Sequence, residues 1–233
     1  MRTKPQAAGF TLIELMLSMA IIGMLLIATV ITIMQVTNQY SKGITLKQIN
    51  QAGRDLGASI KRDAASVAGI SNPIILPDAT HTGNLGRLCL GAYSYVWSTP
   101  AVLQNGTATQ YSDAAGKAIV MARVADAGGA LCQTINASGD YSTNVKLSDS
   151  TEMLPSDSGD YAIHSVSFKT VPDSSIAASS RLYDITYTIG TNQQGTINSV
   201  VGGGEKCALT TQATNNFNFC AVNNFEIMVQ VGY

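Results

Sequence analysis

Hydrophobic and polar positions divide the chain into three regimes. From Leu15 to Val36, 22 residues pass without one ionisable side chain. On a helix such a run spans ~33 Å, about the thickness of a bilayer's hydrocarbon core. It predicts a membrane-spanning helix over residues 10–37. Beyond Asn38 the pattern becomes periodic. Leu46, Ile49, Leu56, Ile60, Ala64 and Val67 fall at spacings of three, four or seven, the apolar stripe of an amphipathic helix. From there no proline interrupts until Pro73, so one helix is expected to continue through 38–72 with its stripe against a globular head. Extended from Phe10 to Ala68 it would be ~88 Å long. Gly43, Gly53 and Gly57 weaken it, so docking rather than propensity must hold it.

The third regime, 73–233, is punctuated by Gly, Asn, Asp and Pro and alternates with period two. Tyr183, Ile185, Tyr187 and Ile189 share one face, opposite Leu182, Asp184, Thr186 and Thr188. Phe225, Ile227, Val229, Val231 and Tyr233 alternate with Glu226, Met228 and Gln230, and Val166, Phe168 and Thr170 repeat the pattern more weakly. These are strands of a half-buried antiparallel sheet. Leu88–Trp97 and Ala118–Val124 add further strands, the latter apolar enough to be central. The expected class is α+β, a long N-terminal helix packed on an antiparallel sheet.

Charge and cysteine usage sharpen this picture. Only 12% of residues are charged, about half the share of an ordinary soluble domain. The apolar run explains part of that, and a Ser-, Thr-, Asn-, Gln- and Gly-rich head suits an extracytoplasmic, β-rich domain. The net charge is −1, and removing Arg2 and Lys4 would lower it by two to −3. That argues against the broad basic footprint of a nucleic-acid binder. Cys89, Cys132, Cys207 and Cys220 all follow the apolar run. An even number on an exported side reads as two disulfides with three possible connectivities. No C-x-x-C pair supports zinc. Arg2 and Lys4 keep the N-terminus cytoplasmic by the positive-inside rule, so the head faces outward.

Ahead of the apolar run stand Gly9-Phe10-Thr11-Leu12-Ile13-Glu14. They resemble the prepilin cleavage and methylation motif of type IV pilins and type II secretion pseudopilins. An ordinary secretory signal is cut after a 7–15-residue apolar segment; here the well-formed site precedes a longer one. The resemblance implies that Gly9 fills a peptidase subsite open only to a small residue. It implies that removal of leader 1–9 makes Phe10 the new N-terminus, which is N-methylated. Glu14 would then pair with the Phe10 ammonium of a neighbouring subunit. An α-amine titrates near ~7.7–8, so both partners are largely charged at neutral pH. The bland reading makes Glu14 a headgroup-level residue of a plain single-pass anchor.

The partners so implied are a prepilin peptidase, other pilin subunits met through the helix, an inner-membrane assembly platform and the lipid bilayer. The product would be a filament subunit, not an enzyme, held in the cytoplasmic membrane before assembly and in an extracellular or periplasmic filament afterwards. The rival class is a membrane-tethered binding module that does not polymerise. Cys207 and Cys220 resemble the disulfide-bounded region near the C-terminus of many pilins, which leaves Cys89 with Cys132. The Leu88–Tyr95 stretch and the head's size resemble the larger minor pilins of the W and J types. One departure is visible: many major pilins carry a helix-bending proline about two-thirds along the apolar segment, and here Gly23 is the only strong weakener.

Residues that could carry chemistry are few, and no cofactor is expected. His81 and His164 sit in no metal motif and read as surface or packing residues. Gly202-Gly203-Gly204 is followed by Glu205-Lys206-Cys207 rather than a helix, a flexible turn and not a phosphate loop. Asp149, Glu152, Asp157 and Asp160 form an acidic loop, a weak calcium candidate whose spacing fits no EF-hand. Tyr93, Tyr95 and Trp97 alternate on a strand face that could be a binding platform, though core packing is favoured. Lys47, Arg54 and Lys61 recur every seven residues. They could meet DNA or anionic lipid but read first as a solvated face.

Overall fold

Thr11 starts the first element. Its backbone is extended (φ −80°, ψ 149°) and its hydroxyl accepts from the Glu14 amide, so it is the N-cap of helix α1, Leu12–Ala65. Glu14 at the third helical position reaches back to the Thr11 amide, completing a capping box. At 54 residues α1 is ~81 Å long. The expected helix of Phe10–Ala68 is therefore shorter at both ends. Phe10 lies before the cap, and Ser66 caps the far end, its N–H donating to the Asp63 and Ala64 carbonyls. Of the expected helical continuation over 38–72, α1 carries the part to Ala65, and residues 68–72 lie outside the described residues. Gly23, in the apolar half, leaves the helix unbroken.

The computed structural model describes residues 9–67, 85–105, 110–127, 129–132, 145–154, 161–171, 181–192, 197–200, 204–207 and 220–231. The head's strands are β1 (Leu85–Leu90), β2 (Tyr93–Ser98), β3 (Tyr111–Ser112), β4 (Met121–Ala125), β5 (Val145–Lys146), β6 (Ser150–Leu154), β7 (Tyr161–Val171), β8 (Arg181–Thr191), β9 (Ile197–Val200), β10 (Gly204–Cys207) and β11 (Val222–Val231). A short helix, α2, covers Pro100–Asn105, and a 3₁₀ turn covers Ala130–Cys132.

The head is not one sheet. An antiparallel four-stranded sheet has the order β1-β2-β4-β6, and an antiparallel three-stranded sheet the order β11-β8-β7. Strands β9 and β10 form a hairpin, while β3 and β5 pair in parallel, the exception to the antiparallel expectation. The stretch Leu88–Trp97, expected to be strand, is two strands around a turn at Gly91-Ala92. Gly91 has φ +69°, a conformation that β-carbon crowding makes unfavourable for other residues. Strand β4 is an inner strand, as its apolar composition predicts.

Burial explains the alternation. In β8, Tyr183, Ile185, Tyr187 and Ile189 are buried in one core with Ile49, Leu56, Ile60 and Ala64 of α1. Phe225 and Ile227 of β11 pack against the same core. The expected stripe of α1 is thus the docked face, and Lys47, Arg54 and Lys61 are exposed. The four-stranded sheet differs because both its faces are covered. Leu88, Leu90, Tyr95 and Trp97 join the helix core, while Leu85, Val96, Ala122 and Val124 form a second core with Tyr111, Ile119 and Leu147. Every residue of β1 is accordingly buried, and no period-two pattern remains to read.

Candidate assembly site

The N-terminal half of α1 presents its apolar residues to the outside. From Phe10, 83% exposed, to Ile44, 40% exposed, large apolar side chains stand clear of the head. Among the described residues, Met228 is the one other exposed large apolar side chain. The helix is long and apolar enough to cross a membrane, and none of its most apolar window is buried. In water such a surface would be strongly unfavourable at ~25 cal/mol per Å². It requires lipid or other helices.

At the tip of this rod, Gly9 and Phe10 are exposed and non-helical. Immediately after them the capping box organises the one carboxylate of the segment. Glu14 Oε2 accepts from the Thr11 amide (3.2 Å) and from Thr11 Oγ1 (3.0 Å), while Thr11 Oγ1 accepts from the Glu14 amide (3.4 Å). A carboxylate at a helix N-terminus also sits at the positive end of the helix dipole. The sequence reading overlooked Thr11, although Thr11-Leu12-Ile13-Glu14 carries the T-x-x-E signature of such a box.

The other half of α1 is fastened to both sheets. Tyr187 donates its hydroxyl to the Gly53 carbonyl (2.6 Å), and its ring stacks on Phe225 with centroids 5.3 Å apart. A β-carbon at Gly53 would lie 2.2 Å from the Phe225 ring, and one at Gly57 would lie 2.7 Å from the Tyr187 oxygen. The two glycines are therefore the notch into which the sheet's aromatics fit. Burial pushes the Tyr187 phenol up to about 12.

Two residues before the helix end, Asp63 is 5% exposed and holds the four-stranded sheet. Its Oδ2 accepts from Tyr95 Oη and Arg123 Nε, both at 2.6 Å, and Oδ1 accepts from Arg123 Nη2 at 2.9 Å. The Arg123 guanidinium also lies 3.5 Å from the centre of the Tyr93 ring, a cation–π contact. Burial by itself would raise the Asp63 pKa, but the hydrogen bonds and charge of Arg123 with the Tyr95 bond outweigh it and lower it. Burial and the adjacent carboxylate raise the Tyr95 phenol well above its ordinary value. Nothing in the linear pattern announces this cluster, whose members lie 32 and 60 positions from Asp63.

Residues 4–30 match the family model described as the prokaryotic N-terminal methylation motif. This is a prepilin-type N-terminal segment, a motif that type IV pilins and pseudopilins carry. No curated protein and no solved structure matches the chain. The match takes in the exposed tip and α1 as far as Val30, and the exposed apolar side chains continue beyond it to Ile44.

Elsewhere in this pilin-like chain, Cys207 and Cys220 are bonded to each other, the expected C-terminal pair. Cys89 is also disulfide-bonded, while the side chain of Cys132 lies outside those described. Tyr95 and Trp97 are core residues, 0% and 2% exposed, and Tyr93 lies under Arg123, so the aromatic face is no open platform. His164 is half-buried on β7, with Nε2 3.1 Å from the Thr191 carbonyl oxygen, and burial lowers its pKa. His81, Gly202 and Gly203 lie outside the described residues, and Gly204 begins β10. Of the acidic loop, Asp149 and Glu152 are described and exposed, and Asp157 and Asp160 are not among the described residues. Among the described residues no group of carboxylates, histidines or cysteines is arranged to hold a metal ion.

Proposed function

We propose that the chain is a structural subunit, a minor pilin or pseudopilin, of a type IV pilus or type II secretion pseudopilus. A prepilin peptidase cuts between Gly9 and Phe10, Phe10 is N-methylated, and the apolar half of α1 moves from lipid into a bundle of neighbouring subunits on the assembly platform. The head, facing outward, is displayed on the filament. The Cys207–Cys220 disulfide, with Cys89 also disulfide-bonded, suits an oxidising compartment. The observation that carries the reading is the coincidence of the methylation-motif match over 4–30 with a helix half that buries nothing against its own head.

Glu14 fits this reading because a lone ionised carboxylate costs roughly 2.5–3.5 kcal/mol in the bilayer interior. In a helix bundle the ammonium of a neighbour's Phe10 answers that charge. The pair acts as a register device more than a source of stability.

Co-expression with a prepilin peptidase tests the proposal. Mass spectrometry should find a mature chain beginning at methylated Phe10, and Gly9→Val should block the cut. Glu14→Val should be cut normally yet be lost from sheared filaments. A native chain starting at Met1, or trimmed beyond Val36, would end the pilin reading. A cleaved chain that never enters filaments would favour the tethered binding module.

A further inference from the structure

Asp126 directly follows strand β4 and is 7% exposed. Its carboxylate reaches in two directions. Oδ2 accepts from Ser94 Oγ on β2 at 2.8 Å. On the other side Oδ1 accepts from the Ala130 amide at 2.8 Å, and Oδ2 from the Leu131 amide at 3.2 Å. The Asp126 amide donates to the Ala92 carbonyl at 2.8 Å. One residue thus ties the β1–β2 hairpin to the 3₁₀ turn Ala130–Cys132, across a reversal that Gly129 makes at φ +65°. Ser94 stands directly opposite Cys89 in the β1–β2 ladder, so the two side chains leave the same face of the sheet. Opposed β-carbons in such a pair lie ~4.5–5.5 Å apart. The 3₁₀ turn packs on β1. Cys89 is 6% exposed and disulfide-bonded, while Cys207 and Cys220 bond each other. Cys132, the fourth cysteine of the chain, is the last residue of the turn that Asp126 holds.

We infer that Asp126 is a positioning residue for oxidative closure of the head: it holds the 3₁₀ turn on the β1–β2 hairpin so that Cys132 meets Cys89 and the two bond. The oxidant is a small disulfide of the glutathione class. One cysteine thiolate attacks it and releases a first glutathione; the second cysteine thiolate then displaces the other glutathione from the mixed disulfide. Two protein thiols give up two electrons and two protons, which leave on two molecules of reduced glutathione. Asp126 carries none of these. It raises the concentration of one thiol at the other by fixing the turn before the bond forms. Carboxylate and disulfide are therefore one latch, and by linkage each strengthens the other equally. The inference concerns the head alone and stands whether or not the chain enters a filament.

The test equilibrates the full chain in detergent with glutathione redox buffers, blocks thiols by alkylation and maps the bonds by mass spectrometry. In the wild type Cys89 should be found bonded to Cys132. Asp126→Asn keeps the shape but loses a charged acceptor. Its Cys89 bond should open at a glutathione poise about tenfold less reducing, the scale of one charge-assisted hydrogen bond. The Cys207–Cys220 bond should open where it does in the wild type. Ser94→Ala should move the Cys89 bond in the same direction and by less, and it decides alone if Asp126→Asn does not fold. Tyr187→Phe, which loosens the head elsewhere, should leave the Cys89 equilibrium unmoved. Mapping of Cys89 to a different cysteine, an unchanged Cys89 poise in both Asp126→Asn and Ser94→Ala, or equal shifts of both disulfides would overturn the inference.

Discussion

The hydroxyl of Tyr187 donates to the backbone carbonyl of Gly53, 2.6 Å away, through a notch that two glycines leave in the helix face. In an exposed helix Gly→Ala is favourable by ~1 kcal/mol. At Gly53 the sign should reverse, because the new methyl meets Phe225 at 2.2 Å. Gly53→Ala should destabilise the head by about 1–3 kcal/mol, the scale of core overpacking. Gly43→Ala, whose β-carbon would meet nothing within 4 Å, should leave the head's melting temperature unchanged or raised. Thermal unfolding of the full chain in detergent compares the two; equal shifts would refute the notch.

The Asp63–Arg123 pair should respond unequally to loss of either partner. Arg123 is 27% exposed at its side chain and Asp63 only 6%. Without Asp63 the guanidinium can reach water; without Arg123 the carboxylate stays buried with Tyr95 alone. Asp63→Asn should therefore cost about 1–2 kcal/mol and Arg123→Met about 2–4 kcal/mol. Chemical denaturation measures both, and the reverse ranking would contradict the burial argument.

The same pair sets an acid limit. Asp63 titrates below its ordinary value of 3.8 in the folded head. Its contribution is present above the unfolded-state pKa and is lost as pH falls through the folded one. Wild-type stability should drop more steeply below pH ~4 than that of Asp63→Asn. Parallel acid profiles of the two would show that Asp63 does not carry the limit.

At the alkaline end Tyr187 works in the opposite sense. Its phenol is pushed up to about 12 by burial, against an ordinary value of 10.0. Stability from the neutral phenol is complete below the unfolded value and declines as pH rises toward the folded one. Tyr187→Phe should be less stable near neutrality by about 1 kcal/mol, the worth of one hydrogen bond. Its stability should also fall less between pH 10 and 12, which a pH series of melting curves detects.

Cys207 and Cys220, 13 positions apart, close a loop just before β11. Replacing both by serine should lower head stability by about 3 kcal/mol on the chain-entropy account. Leader removal should be unchanged, because the cut lies at the other end of the rod. Denaturation together with mass spectrometry checks both halves of this expectation.

What the order of residues determined alone is whatever depends on contiguous chain. The uncharged run from Leu15 to Val36, the motif Gly9–Glu14 before it, the stripe from Leu46 to Ala64 and the alternation of Tyr183–Ile189 are local patterns, because one helix or one strand produces each. Thr11 belonged to that legible class and was passed over; its spacing from Glu14 was sufficient. Tertiary structure decided the rest. Gly53 and Gly57 look like helix weakeners until Tyr187 and Phe225, 130 or more positions away, are seen to occupy them. The split into two principal sheets was hidden because β1 is buried on both faces and so shows no period-two signal. Asp63 and Arg123 carry no local signal, and Tyr95 reads only as part of an aromatic strand face, since a buried charge is made tolerable only by partners that folding brings from distant parts of the chain.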